Sequence, residues 1–166
     1  HYEPLAIEDA PRGSVGIPRA LNLYENYPFW FTFFTELGYQ VILSDPSTKK
    51  TYEAGIESMP SESVCYPAKL SHGHIMNLLE KGPDFIWMPC SKWERQEDET
   101  AGNHFNCPIV ASYPEALRLN IDELRESDTD FVSPWLPYHD KEKLAKRLVE
   151  TFSGEYAAAL GKKDAL

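Results

Sequence analysis

The chain of 166 residues has room for one domain built on one hydrophobic core. Its formal net charge of -10, from 26 acidic against 16 basic residues, has the wrong sign for neutralising phosphates and argues against nucleic acid or anionic membrane as partners. A composition of 42% hydrophobic, 13% aromatic and 25% charged residues excludes a disordered or fibrous chain.

Residues 1–13 are polar with two prolines and read as a lead-in linker to a domain over 14–166. From Ser14 the run SVGIP, bounded by Gly13 and Pro18, predicts a buried first strand. PFWFTFFTELG predicts a first helix with Asn26 as N-cap, Pro28 in the first turn and Gly38 as its stop. YQVILSD predicts a second strand ended by Asp45-Pro46, and residues 47–59 form a weakly helical polar stretch. A helix follows up to Gly82, with Ser61 and Ser63 as capping hydroxyls, Pro67 in its first turn, and Leu70, Ile75, Leu78 and Leu79 as apolar positions. DFIWMPC predicts a third strand, SKWERQEDETAGNHFN a charged loop, and PIVASYP a fourth strand followed by a helix through about Leu124. FVSPWLPY is a fifth extended segment, and the stretch from His139 to Lys163 predicts a last helix with Leu144, Leu148 and Phe152 on one face. Short apolar strands alternating with helices predict an α/β domain with a doubly wound, mostly parallel sheet of four to five strands, flavodoxin-like or Rossmann-like.

No apolar run approaches the roughly 20 residues of a spanning helix, and no basic segment followed by an apolar one opens the chain. Three cysteines at irregular spacing do not make a disulfide framework. A cytoplasmic protein with free or metal-bound thiolates is expected, cut from a longer multidomain polypeptide.

In a doubly wound sheet, ligands gather at the carboxyl ends of the strands. Cys65, at a helix start where free backbone N–H groups favour a thiolate, and Cys90, at the end of the third strand, could face one another across that crevice. On spacing alone, two buried, unreactive thiols are the favoured alternative. Cys107, ahead of the predicted fourth strand, is expected at the opposite edge as a packing residue. Arg19 either clamps a phosphate or carboxylate or pairs with a local acid such as Asp45. His72 and His74 are two apart on a helix and point to different faces, so one of them reaches the crevice or both are core-edge histidines. The run from Glu94 to Glu99 reads as a solvated loop. No phosphate-loop, dinucleotide-fingerprint or nucleophile-elbow motif is present.

The strings GIPRALNLYENYPFWFTFFTELGYQVILSD, IESMPSESVCYPAKLSHGHIMNLLEKGPDFIWMPC and NCPIVASYPEAL closely resemble the activase-related proteins of the 2-hydroxyacyl-CoA dehydratase system, over about Ser14 to Thr151. The part resembled is the dehydratase-subunit-like region that follows the ATPase modules in those long chains of anaerobic bacteria. The resemblance implies a module supplying part of a [4Fe-4S] site for ATP-coupled electron transfer, with Cys65 and Cys90 at the first two ligand positions and a third ligand from a later lobe. Ser61, Glu62 and Ser63 would then stand around the cluster as hydrogen-bond donors or gates, with Arg19 and His72 as further candidates for substrate contact. The expected partners are the ATPase modules and the later lobe of the same parent chain, and an acyl-CoA whose carbonyl could meet an open iron. The rival expectation is a metal-free module that docks an acyl-CoA or the ATPase modules, with PFWFTFF as core or as interface; a bound flavin would rest on fold analogy alone.

Overall fold

The computed structural model describes residues 2–154. Four strands, β1 (Ser14–Ile17), β2 (Gln40–Leu43), β3 (Phe85–Trp87) and β4 (Asp130–Val132), form an all-parallel sheet in the order β2-β1-β3-β4. Helix α1 (Leu23–Glu36) joins β1 to β2, and α2 (Lys49–Gly55) and α3 (Tyr66–Lys81) join β2 to β3. Helices α4 (Pro108–Asn120) and α5 (Glu123–Glu126) join β3 to β4, and α6 (Lys141–Ser153) follows β4. The first crossover steps one way along the sheet and the later ones step back, so right-handed connections put α1 on one face and α3 and α4 on the other. Helix α6 shares the α1 face, where the Phe152 ring meets Phe33 and Phe34. The domain is the doubly wound α/β fold that the alternation predicts.

The core fills both faces of the sheet, and on the α1 face it is dominated by aromatics. Trp30 and Phe34 of α1 pack on Trp87 and Phe85 of β3, with Tyr39 alongside, and all five are essentially inaccessible. The PFWFTFF segment is therefore mostly core, although Phe29 remains exposed. Leu144, Leu148 and Phe152 face this core as their spacing predicts. Residues 2–13 also lie on the domain: Tyr2 packs against Tyr27 and Phe31, and Gln40 Nε2 donates to the Leu5 carbonyl at 3.0 Å.

Three expectations change. PIVASYP is helical and opens α4, because Cys107 caps it and Pro108 takes the first helical position, while the buried Tyr113, Pro114 and Leu117 line one helical face. The β-branched run Ile109-Val110 mimics a strand, but the cap and the buried helical face together override it. Helix α1 begins at Leu23 behind Asn22 rather than at Asn26, and so carries Pro28 inside it. Ser61 and Ser63 do not cap α3; their hydroxyls bond one another at 2.8 Å and the N-cap is Cys65. Gly82 ends α3 in left-handed backbone at φ 63, and Gly38 turns the chain into β2 at φ 85. The part of the predicted last helix beyond 154 lies outside the described residues.

Helix α2 lies against α3 at unusually close range. A Cβ on Gly73 would stand 1.6 Å from the Thr51 carbonyl oxygen, and one on Gly55 would stand 2.6 Å from the Gly73 nitrogen. The two glycines let the helix backbones nearly touch. None of the helices among the described residues is long and apolar enough to cross a membrane.

Candidate functional site at the carboxyl edge of the sheet

In a parallel sheet each strand ends, and each returning helix begins, at the same edge. Helix α3, with 16 residues and about 24 Å long, finishes at Gly82 just before β3 starts, so its N-cap Cys65 stands at the carboxyl edge. Helix α4 runs back in the same way from Cys107 towards β4. Cys90 follows β3 and prolongs its pairing: its N–H donates to the Pro134 carbonyl and its own carbonyl accepts from Leu136 N–H, both at 2.9 Å. The three cysteines thus come to one edge from three separate segments. This corrects the expectation that Cys107 lies at the opposite edge, which depended on PIVASYP being a strand. The signal in the sequence was Cys-Pro, since proline suits the first helical position directly after a cap.

Their environments differ. Cys65 and Cys107 are exposed, and the Cys107 sulfur accepts the Val110 N–H at 3.4 Å as a cap. Cys90 is wholly buried. Burial pushes its thiol up to about 12; the Glu115 carboxylate adds to that rise, and the Glu115 backbone N–H opposes it. Tyr113 of α4 is raised chiefly by burial, with Cys65 contributing, and Cys90 lies against the Glu115 backbone of the same helix.

Among the described residues no group of three or more His, Cys, Asp or Glu could hold a metal ion. Thiolates are the usual donors of iron–sulfur centres; Cys65 and Cys107 are exposed, whereas Cys90 is buried and holds its proton at neutral pH.

The loops at this edge are tied together. Glu94 Oε1 accepts from Asn22 Nδ2 and Asn106 Nδ2, both at 2.8 Å, bracketing the β1 and β3 loops. Beside Asn22, Leu21 adopts left-handed backbone at φ 50, a strained conformation for a residue with a branched side chain.

The Arg19 backbone N–H donates to Ser44 Oγ at 2.8 Å and its Nε to the Ser44 carbonyl at 2.7 Å. Asp45 pairs instead with Lys81 at 2.7 Å, and hydrogen bonds from Lys81 and Asn77 hold its carboxyl below the usual range. Glu62 and Ser63 are exposed on the loop before α3; the Glu62 carbonyl accepts from Lys69 Nζ at 2.7 Å.

The two histidines of HGH do point apart, and both are inaccessible. Ser58 Oγ donates to the Gly55 carbonyl, so it accepts from His72 Nδ1 at 2.8 Å, leaving His72 Nε2 to accept the Tyr113 O–H at 2.9 Å. Ser44 Oγ accepts from Arg19 N–H and also bonds His74 Nδ1 at 2.9 Å, while His74 Nε2 bonds Ser47 Oγ at 2.8 Å. Burial lowers both histidines to about 4, so they are neutral at pH 7; at His74 the Arg19 charge adds to the fall and Asp45 opposes it. Tyr113, Ser58 and Glu94 carry no motif that marks them in the sequence.

A family model described as CoA enzyme activase uncharacterised domain matches residues 14–164. No curated protein and no solved structure matches the chain.

Proposed function

Because the chain belongs to the family described as CoA enzyme activase uncharacterised domain, we propose that it is the dehydratase-like iron–sulfur module of an activase of the 2-hydroxyacyl-CoA dehydratase system. Cys65 and Cys90 are the proposed ligands, and the arrival of Cys107 at their edge adds a third. That convergence is the observation that carries the reading. A [4Fe-4S] cluster, when bound, supplies a one-electron acceptor whose potential responds to charge, hydrogen bonds to sulfur and solvent access. The helix starts at Cys65 and Cys107 offer backbone N–H groups that could donate to sulfur. Burial and the Glu115 carboxylate hold Cys90 as a thiol, and as a ligand it would have to give up that proton. The Tyr113–His72 bond fixes α3 against α4 and with it the relation of Cys65 to Cys107. The proposed partners are the ATPase modules, a later lobe and an acyl-CoA, and the proposed compartment is the cytoplasm.

The test is anaerobic reconstitution of the intact chain with ferrous iron and sulfide, read by visible absorbance and electron spin resonance. Cluster signal in the wild type and its loss in Cys65→Ala, Cys90→Ala and Cys107→Ala is expected. Unchanged cluster content in all three variants would end the proposal. The complete burial of Cys90 favours a second reading, a metal-free module docking an acyl-CoA or the ATPase modules. Wild-type affinity for a CoA ester in the Cys65→Ala/Cys90→Ala variant, together with no iron uptake, selects it.

A further inference from the structure

On the face of the sheet away from α3 and α4, a cavity of about 920 Å³ opens between α1, the loop from β3 to α4, and α6. This is the size range of sites for small organic ligands, and none of Cys65, Cys90 and Cys107 lines it. Its apolar walls include Phe29 and Phe105, both about half exposed, and Leu148. Phe105 is itself backed by the Trp93 ring at a centroid separation of 3.8 Å, so it is a supported aromatic surface.

Two polar groups of the lining are held in place. Tyr138 accepts the Trp30 indole N–H at 3.0 Å, which leaves its own O–H to be donated elsewhere. Glu94 is fixed by its two amide partners, Asn22 and Asn106. Tyr138 and Glu94 both line the cavity, so a hydroxyl donor and an anionic acceptor border it together with aromatic surfaces. The complementary ligand edge has an amine beside a ring acceptor nitrogen. Along the walls the carboxylates Glu25, Glu94, Glu97 and Asp98 outnumber the cations Arg95 and Lys141, which disfavours an anionic ligand.

The geometry points to a site for a neutral, amino-substituted aromatic heterocycle of the adenine type, its exocyclic amine donating to Glu94 and its adjacent ring nitrogen accepting from Tyr138. None of the three cysteines lines the site, and the assignment stands whether or not they bind iron. Stacking on Phe105 and Phe29 would supply the apolar contact, and the donor–acceptor pair the selectivity.

Adenosine, inosine and adenosine monophosphate are the probes, measured by saturation-transfer NMR and calorimetry on the intact chain. Adenosine is expected to bind at least tenfold tighter than inosine, which reverses the donor and acceptor on that edge, and tighter than the monophosphate. Tyr138→Phe should lose at least tenfold for adenosine. If circular dichroism shows that variant unfolded, Phe105→Ala, at a half-exposed position, replaces it with the same expected loss. No adenosine binding at millimolar concentration, equal binding of inosine, tighter binding of the monophosphate, or an unchanged affinity in the folded variant would each overturn the assignment.

Discussion

Replacing Gly73 by alanine tests the close contact of α2 and α3, on which both buried histidines depend. The added methyl would stand 1.6 Å from the Thr51 carbonyl oxygen and 2.6 Å from the Thr51 carbonyl carbon, both backbone atoms of α2. Backbone cannot rotate out of the way as a side-chain tip can, so α2 must move bodily. Its displacement would pull on Ser47, just before α2, and Ser58, just after it, which hold His74 and His72. Overpacking ordinarily costs about 1–3 kcal/mol, and a clash with main chain places this case at about 3 kcal/mol or more. For a domain of this size that corresponds to a fall in Tm of roughly 6–12 °C. Thermal unfolding followed by circular dichroism measures it. A fall of less than about 2 °C would refute the close-contact argument, because it would mean that α2 accommodates the methyl without loss.

Three further outcomes follow from the buried groups. In native buffer a thiol reagent should label Cys65 and Cys107 rapidly and Cys90 only after denaturation; fast native labelling of Cys90 would contradict its burial. His72 and His74 bind protons less readily folded, at about 4, than at their ordinary 6.5, so their contribution is complete above about pH 6.5 and is lost as pH falls towards 4. The loss is on the order of 3 kcal/mol for each, and urea unfolding across that window should show it in the wild type and show less of it in His74→Gln. Tyr113→Phe leaves His72 Nε2 buried without a donor, which costs about 1–3 kcal/mol; an unchanged urea midpoint would show that the bond does not hold α3 to α4.

Much of this fold is legible in the sequence because its elements carry local signals. Gly38 and Gly82 stop helices by taking left-handed backbone, Pro67 sits in the first turn of α3, and VGI, VIL and FIW are short apolar runs of the kind that a two-sided sheet requires. The error at PIVASYP arose where two signals compete: β-branched residues favour a strand, while Cys-Pro sets a helix start, and the tertiary burial of Tyr113 and Leu117 decides for the helix. That one misreading displaced Cys107 from the edge and so hid a third sulfur. Ser61 and Ser63 misled similarly, since capping hydroxyls can bond one another as easily as a helix N-terminus. The partners of His72 and His74 were not legible. Gly73 between them reads as a weak point in a helix, and only the approach of α2 explains it.

The proposed function requires sulfur atoms at one edge of the sheet to bind iron together. Anaerobic native mass spectrometry of the reconstituted intact chain measures this directly. A mass increment of four irons and four sulfides that disappears when Cys65, Cys90 and Cys107 are all replaced by alanine is the predicted result; the same increment in the triple variant would contradict it.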